Sequence, residues 1–487
     1  HIVVESYPSR QEPSRDAERT QLFLLSGHTA EALEASAKSW QERLVSQASW
    51  PASVQDLAYT ASVRRTHHDF RLALLAKNRQ ELEPQLKAWL AKEQQPGIRV
   101  GQRRAGASPR VAFVFPGQGG QWAGMGRRLL AEEPVFRDAV SSCDALIAKH
   151  TGWSVVEKLQ NSAPMTDIDI VQPSLFAVMV GLAQLWRSWG IEPAAVIGHS
   201  MGEVAAAAVA GALSLEDAAA VVCHRSRLMK GASGQGLMAL AELSQEEAER
   251  LVGEYEGRIS VAAVNGATSV VLAGDADAVD DAVTTLETRE IFCRRIQVDV
   301  ASHCAHMDPY RSELEHCLRR IRPKEASAPM YSTVTREVER GPGLNASYWA
   351  RNLRQTVRFA DALRKLLEDG FDTFIEMNAH PVLVQSVEAE IRRAGKDAVA
   401  VGSLRRDQDE RAELLNAIGA LHVSGFPIDF SRIYPAGALT SLPAYPWQRD
   451  RHWLDEQSKR GGRSGIHPDL GARLESSIQP GTELWEV

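Results

Sequence analysis

The sequence predicts an α/β protein whose largest unit is a parallel β-sheet flanked by helices. From residue 111 to residue 404, short apolar runs such as VAFVF and AAVI alternate with longer amphipathic helices, which is the order of a parallel sheet. Between residues 236 and 300 the order becomes strand, helix, strand, strand, helix, strand, which indicates a ferredoxin-like subdomain inserted into the larger unit.

A smaller α+β unit is expected before the main sheet. A strand-like run at residues 21–25 is followed by helical segments at 30–45 and 80–91, which are rich in Ala, Leu, Glu and Lys. The stretch at 97–110 has little apolar content and is predicted to be a linker. Several such units are expected because 487 residues exceed one ordinary core.

Both ends of the sequence have the pattern of strands cut from a longer chain. HIVVE opens it without an initiator Met, and TELWEV closes it. Residues 405–459 carry a helix and then an extended tail, LPAYPWQRDRHW. We expect this tail to lie along another surface, where Tyr445, Trp447 and Trp453 would be buried.

The composition is typical of a globular protein and excludes several classes of function. With 44% hydrophobic and 24% charged residues and a formal net charge of -7, no nucleic-acid partner is expected. The longest apolar runs fall short of the roughly 20 residues that span a bilayer, and a signal peptide is not expected. We therefore expect a cytoplasmic protein without a membrane partner. The five cysteines lack a C-x-x-C spacing, so free thiols and no metal are expected.

The sharpest local signal is the pentapeptide Gly198 to Gly202, with Ser200 at its centre. It follows the apolar run AAVI and precedes EVAAAAVAGA, so it predicts a strand, a tight turn and a helix with the serine at the apex. Glycines permit such a strained turn, and the positive end of the helix is directed toward the hydroxyl. Ser200 is therefore the candidate nucleophile.

A nucleophilic serine needs a base, and His303 is the strongest candidate among fourteen histidines. It follows the last strand of the predicted ferredoxin-like subdomain, where a loop can face a nucleophile on the neighbouring subdomain. His306 is the competing base, whereas His199 is expected to support the turn.

Two further motifs could complete the site. The Gly-rich turn FPGQGGQW follows the first strand of the main sheet, but Trp122 stands where a dinucleotide-binding motif needs its third Gly. The turn could instead bring Gln118 against a substrate carbonyl, to form an oxyanion hole with the Met201 N–H. Arg225, in VVCHRSRLMKG, suits a bidentate contact with a substrate carboxylate, and the alternative is a solvated helix face.

Taken together, FPGQGGQW, GHSMGE, CHRSRLMKG, AVNGATSVVLAG and VDVASH, in this order, resemble the acyltransferase domain of type I modular polyketide synthases. The resemblance covers residues 106–404 and implies an α/β-hydrolase-like large subdomain beside the ferredoxin-like one. Residues 1–10 resemble the end of a ketosynthase, and residues 11–105 the ketosynthase-acyltransferase linker. Residues 405–459 resemble the post-acyltransferase linker, and residues 460–487 the first strand or so of a dehydratase domain.

The resemblance implies a ping-pong transfer from coenzyme A, through Ser200, to the phosphopantetheine thiol of an acyl carrier protein. His303 would be the base, Gln118 with the Met201 N–H the oxyanion hole, and Arg225 the carboxylate anchor. No permanently bound cofactor is implied, and the expected partners are the carrier protein and the adjoining ketosynthase and dehydratase domains. Further residues are implied beside the substrate: Gln172, His199, Asn265, Val300, Ala301 and Ser302.

The segment EMNAHPVL departs from many relatives, which have Ser-Pro before the His-Pro. A backbone carbonyl near Asn378 is expected to orient His303.

The four residues that end in His303 bear on the choice of acyl group. Malonyl-selective relatives typically have His-Ala-Phe-His here and methylmalonyl-selective relatives have Tyr-Ala-Ser-His, whereas this chain has Val-Ala-Ser-His. The small Ser302 leaves room for an α-methyl group, so methylmalonyl is favoured and malonyl stays possible. Val300 and Met201 depart from the methylmalonyl pattern.

Two alternatives stay open on the sequence. A serine hydrolase or thioesterase of the α/β-hydrolase type would also use G-x-S-x-G and a later His, with an acid such as Asp275 or Asp299 to orient that His. A catalytically silent docking scaffold is the other alternative, although the complete set of site residues argues against it.

Overall fold

The computed structural model describes a large unit that ends at Pro446 and a short C-terminal unit that begins at Trp447. Its described residues are 19–46, 52–103, 109–161, 163–296, 298, 300–449, 466–467, 471–475, 478–479, 481 and 483–485. The predictions for residues 1–10, Asp299 and Trp453 lie outside these ranges.

The small α+β unit at the start of the large unit is a three-stranded antiparallel sheet with three helices. Its elements are β1 (Gln21–Gly27), α1 (Ala30–Ser46), α2 (Val54–Val63), β2 (Phe70–Ala76), α3 (Arg79–Leu90) and β3 (Ile98–Gln102). Successive side chains of a strand point to opposite faces. Phe23 and Leu25 thus face the helices, whereas Leu22 and Leu24 pack into the core of the next unit.

The predicted parallel sheet is present in the second unit. Its elements before the insert are β4 (Val111–Phe115), α4 (Arg127–Glu132), α5 (Pro134–Thr151), α6 (Val155–Gln160), α7 (Ile168–Ser188), β5 (Ala195–Gly198), α8 (Gly202–Val209) and α9 (Leu215–Lys230). Those after the insert begin with a short 3-10 turn and continue with α12 (Asp308–Cys317), β10 (Met330–Tyr331), β11 (Val338–Glu339), α13 (Ala346–Arg354), α14 (Phe359–Glu368), β12 (Thr373–Glu376), α15 (Val384–Arg393) and β13 (Val399–Gly402). The strand order is β11-β10-β5-β4-β12-β13, parallel except for the edge strand β11.

The insert has the predicted ferredoxin-like order. Its elements are β6 (Leu237–Ala241), α10 (Gln245–Gly253), β7 (Ile259–Gly266), β8 (Ser269–Gly274), α11 (Ala276–Thr288) and β9 (Cys293–Arg295). The strands form an antiparallel sheet in the order β7-β8-β6-β9, and both helices pack on the same core. The prediction of an α/β fold with two subdomains is thereby confirmed.

Helix α7 forms the centre of the large subdomain. By length and composition it could cross a membrane, but 83% of its most apolar 18-residue stretch is buried inside the protein. Large side chains such as Phe176 and Trp186 are fully buried there. The helix is therefore accounted for by core packing.

Helices α16 (Glu410–Val423) and α17 (Phe430–Ile433) follow the main sheet and connect it to the first unit. Helix α16 packs against β13 and also against β2 and β3. The Tyr434 hydroxyl accepts a hydrogen bond from the Leu22 N–H at 2.8 Å, which fixes the end of α17 to β1. The small α+β unit and the unit with the parallel sheet therefore share one continuous core.

Three expectations about the connecting segments need correction. The stretch predicted as a linker contains β3, an edge strand that pairs with β2 through its backbone although most of its side chains are exposed. The tail does hold Tyr445, whose hydroxyl accepts the His28 N–H at 2.9 Å, but Trp447 is 71% exposed. Among the described residues of the C-terminal unit there are three short antiparallel strands rather than one: β14 (Ile466–His467), β15 (Gly471–Glu475) and β16 (Glu483–Trp485).

Candidate active site

The turn between β5 and α8 places Ser200 at the C-terminal edge of the main sheet. Ser200 has a φ of 55°, a conformation that a residue other than Gly adopts only under constraint. The flanking glycines supply the constraint, because a Cβ on Gly198 would lie 2.3 Å from the Glu203 backbone and one on Gly202 would lie 2.0 Å from the Phe115 carbonyl oxygen. The tight turn predicted from the sequence, residues 198–202, is therefore present, and we call it the elbow.

Ser200 and His303 form a hydrogen-bonded pair between the two subdomains. The Ser200 Oγ and the His303 Nε2 are 2.7 Å apart, and both residues are buried. The His303 Nδ1–H donates to the carbonyl oxygen of Gln355 at 2.8 Å, which leaves Nε2 free to accept the serine proton. A neutral carbonyl thus occupies the place that an acid would hold in a Ser-His-Asp triad.

The prediction that a carbonyl near Asn378 orients His303 is wrong. Gln355 holds the ring, because the chain after α13 passes directly beside the imidazole. His306 is not the base either, since its Nε2 pairs with Asp275 at 2.8 Å. That same pairing removes Asp275 as an acid for His303.

The environment of His303 keeps its imidazole neutral. Burial and the nearby Arg225 cation lower the pKa of His303 to about 3, while the hydrogen bond to Gln355 acts in the opposite direction. A neutral imidazole is the form that can accept a proton, so the Nε2 of His303 is unprotonated near neutral pH.

Arg225 lies inside the site rather than on a solvated helix face. Its side chain is fully buried, its Nη2–H donates to the Ser200 Oγ at 2.8 Å, and its Nη1–H donates to the Gln172 Oε1 at 2.8 Å. Burial lowers the pKa of Arg225 to about 10, so the guanidinium stays charged at neutral pH. Its Nε–H is buried and has no hydrogen-bond partner among the described residues. The site therefore holds a cation with unused donor capacity next to the nucleophile.

Glu203 is a site residue that the sequence analysis did not select. Its carboxylate is fully buried in the first turn of α8 and accepts four hydrogen bonds, from the Thr333 N–H, the Thr333 and Tyr348 hydroxyls and the Asn352 amide. The Asn352 amide also donates to the Ser200 carbonyl oxygen at 3.1 Å, so Glu203 and Asn352 fix the elbow from below. Burial raises the pKa of Glu203, and these hydrogen bonds oppose the shift. Its position directly after the G-x-S-x-G motif is the feature of the sequence that could have indicated a role in the site.

The FPGQGGQW turn lies against the turn that carries Ser200. A Cβ on Gly117 would lie 3.3 Å from the His199 carbonyl oxygen and 3.7 Å from the Ser200 Cβ. Gln118 is the next residue and is half-buried. Met201 is buried at the start of α8, where the first N–H groups of a helix have no intrahelical partner. The assignment of Gln118 and the Met201 N–H to an oxyanion hole stays a prediction.

Comparison with known proteins identifies the family. A family described as acyl transferase domain matches residues 112–427, and one described as CurL-like, PKS C-terminal matches residues 21–86. The chain belongs to the acyl transferase domain family. Polyketide synthase GfsA of Streptomyces halstedii is 41% identical over 94% of this chain, which spans only 6% of that synthase.

Solved acyltransferase domains share the fold. The acyltransferase domain from module 8 of the salinomycin polyketide synthase has a TM-score of 0.80 at 38% identity, covering 85% of this chain and 98% of that one. The acyltransferase domain of SpnD, solved in complex with 2-(pent-4-yn-1-yl)malonyl, has a TM-score of 0.74 at 27% identity and covers 85% of this chain and 98% of that one. The chain is thus an acyltransferase domain of the modular polyketide synthase type.

Several of the residues predicted to line the substrate lie near the Ser200–His303 pair of this acyltransferase. The His199 Nε2 and the Asn265 Oδ1 are 2.9 Å apart, which connects the elbow to β7 of the small subdomain. Burial lowers the pKa of His199 to about 4, so this ring is neutral and adds no charge beside Arg225. Gln172 reaches the site through Arg225.

The residues before His303 differ in exposure. Val300 and Ala301 are buried, whereas Ser302 is half-buried and its Oγ lies 3.8 Å from the Met238 Sδ. Ser302 is therefore more exposed than Val300, Ala301 and His303. Within the described residues, no group of three or more His, Cys, Asp or Glu side chains could hold a metal ion.

Proposed function

We propose that this acyltransferase moves a malonyl-type acyl group from coenzyme A to the phosphopantetheine thiol of an acyl carrier protein, with an ester on Ser200 as the intermediate. The buried Arg225 guanidinium, 2.8 Å from the Ser200 Oγ, is the observation that supports this proposal most. A buried cation is costly unless it is paired, and the free carboxylate of a malonyl-type thioester would pair with it. A carboxylate bound there would hold the thioester carbonyl, two bonds away, against the nucleophile.

The first half of the proposed reaction forms the acyl-enzyme. The Ser200 Oγ attacks the thioester carbonyl carbon while its proton passes to the His303 Nε2, and the carbonyl oxygen becomes an oxyanion. Gln118 and the Met201 N–H would donate to that oxygen. When the carbon-sulfur bond breaks, the coenzyme A sulfur leaves and takes the proton back from His303.

The second half repeats these steps with a different thiol. The carrier-protein thiol gives its proton to the His303 Nε2 and attacks the Ser200 ester, and the Ser200 oxygen then leaves with that proton. In a longer synthase, the carrier protein and the neighbouring ketosynthase and dehydratase domains would be the partners of this domain.

We propose methylmalonyl as the favoured acyl group, with malonyl also accepted. The small, half-buried Ser302 next to His303 supports room for a methyl branch at the α-carbon. The likeness to the acyltransferase domain of SpnD, whose ligand is a malonyl group substituted at carbon 2, also supports an α-branched substrate. One methyl group in an apolar pocket discriminates by only about 1 to 3 kcal/mol, so acceptance of both groups is expected.

The proposal is tested by incubating the protein with methylmalonyl-coenzyme A and a pantetheinylated carrier protein. We expect coenzyme A release that matches the acyl-carrier protein formed, both measured by mass spectrometry. Coenzyme A release accompanied by free methylmalonate instead of acyl-carrier protein would identify a hydrolase. The absence of both products would contradict the proposed function altogether.

A further inference from the structure

The loop that carries Gln118 is packed between two other segments of the site. This glutamine loop, residues 116–122, touches the elbow on one side, because a Cβ on Gly117 would lie 3.7 Å from the Ser200 Cβ. On its other side lies the EMNAHPVL segment, residues 376–383, which begins at the last residue of β12. We call this second segment the clamp. The position of Gln118 relative to Ser200 thus depends on both neighbours.

The clamp touches the glutamine loop at two points. A Cβ on Gly120 would lie 2.3 Å from the Asn378 Nδ2 and 2.5 Å from its Oδ1, so the Asn378 amide occupies the space beside the Gly120 backbone. The Trp122 indole N–H donates to the Ala379 carbonyl oxygen at 2.9 Å. Movement of the loop toward the clamp would therefore meet the Asn378 amide, and movement away from the clamp would break the Trp122 hydrogen bond.

The clamp itself is held in place by buried hydrogen bonds. The Glu376 carboxylate accepts the N–H groups of Val382, Leu383 and Val384 at 2.6 to 2.8 Å, which closes the segment on itself. The Asn378 side chain is 1% exposed and its Oδ1 accepts the Ala379 N–H at 2.9 Å. A side chain held in this way has no free space into which it could rotate.

We propose that Asn378 is a positioning residue that fixes the glutamine loop at the distance from Ser200 required for oxyanion stabilisation. This inference rests on the proposed function, because it assumes that Gln118 stabilises the acyl-transfer oxyanion. It assigns a role to the motif whose expected contact with His303 is absent. Asn378 acts through the backbone of Gly120 and touches no reacting atom.

The contact between Gly120 and Asn378 allows a compensation test. Gly120 does not have a positive φ, so Gly120→Ala introduces a steric contact without backbone strain. Removal of one oxyanion donor costs roughly 100-fold to 1,000-fold in rate, so displacement of the loop should slow acylation of Ser200 by at least about 10-fold. The additional substitution Asn378→Ala removes the amide that the new methyl group meets. Asn378→Ala alone should lower the limiting rate, but by less than Gly120→Ala does, because it frees the loop without pushing it aside. The double variant should then acylate at the rate of Asn378→Ala alone, which is faster than Gly120→Ala.

The measurement is the single-turnover rate of Ser200 acylation by methylmalonyl-coenzyme A, as a function of thioester concentration. We expect Gly120→Ala to lower the limiting rate and leave half-saturation within about threefold, because binding through Arg225 is untouched. Gly253→Ala is the matched control, since a Cβ there meets no atom within 4 Å. It should acylate like the wild type.

Three results would overturn the proposal. These are a wild-type rate in Gly120→Ala, a double variant no faster than Gly120→Ala, or a rise in half-saturation that accounts for the whole loss. If Gly120→Ala does not fold, Trp122→Phe decides, because it removes the indole hydrogen bond and keeps the ring. A limiting rate equal to wild type in Trp122→Phe would then contradict the clamp. Failure of the proposed function is distinct, since the wild type itself would not be acylated.

Discussion

Replacement of Arg225 by Ala should change which thioesters the enzyme accepts more than how fast it reacts in general. The guanidinium is fully buried, and within the described part of the chain its Nη atoms donate hydrogen bonds to Ser200, Gln172 and Met229. A hydrogen bond to a charged group is worth about 1.5 to 3 kcal/mol, which corresponds to roughly 10-fold to 150-fold in kcat/KM. Malonyl-coenzyme A should lose this amount in the variant. Propionyl-coenzyme A, which has no carboxylate, should lose much less.

The assay compares kcat/KM for coenzyme A release from both thioesters in wild type, Arg225→Ala and Arg227→Ala. Arg227 is a matched control on the same helix, because its side chain is 55% exposed and pairs with Glu313 at 3.2 Å. Exposed pairs contribute about 0 to 1 kcal/mol, so this control should change little with either thioester. Thermal unfolding verifies that Arg225→Ala is folded. Equal losses for malonyl and propionyl substrates would refute the role of Arg225 as carboxylate anchor.

Three further predictions follow from the site. Burial and Arg225 lower the pKa of His303 to about 3, so the imidazole stays neutral at pH 5, and the Ser200 acylation rate should fall less than about threefold from pH 7 to pH 5. With an ordinary pKa of about 6.5 the rate would fall more than about 20-fold, and a fall of that size would contradict the prediction. Glu203→Gln should lower the free energy of unfolding in urea by about 1 to 3 kcal/mol, because an amide cannot accept all four donors, and an unchanged stability would contradict this. In competition between the two thioesters, Ser302→Phe should shift the product ratio toward malonyl, and an unchanged ratio would show that Ser302 does not select the acyl group.

The fold could be predicted wherever a hydrophobic period or a glycine requirement decides the local structure. The apolar runs of β4 and β5 mark buried parallel strands, and the glycines around Ser200 mark a turn that other residues cannot make. Strand β3 could not be predicted in this way, because backbone pairing with β2 holds it while its five residues include only two apolar side chains, of which Val100 is exposed. An edge strand of this kind has the composition of a linker.

The candidate site was predicted as far as its side chains carry distinctive chemistry. Ser200, His303 and Arg225 are such residues, and the structure brings His303 and Arg225 each within hydrogen-bond distance of Ser200. The group that orients His303 could not be predicted, because a backbone carbonyl such as that of Gln355 leaves no trace in residue type. Glu203 was missed since its partners are about 130 to 150 residues away along the chain.

The central claim is that Ser200 carries the acyl group between two thiols. The most direct measurement is the intact mass of the protein after brief mixing with methylmalonyl-coenzyme A or malonyl-coenzyme A, without a carrier protein. We predict one acyl group per chain, located on the peptide that contains Ser200, and none in Ser200→Ala. An acyl group that persists in Ser200→Ala, or wild-type protein that releases coenzyme A and never gains mass, would contradict the account.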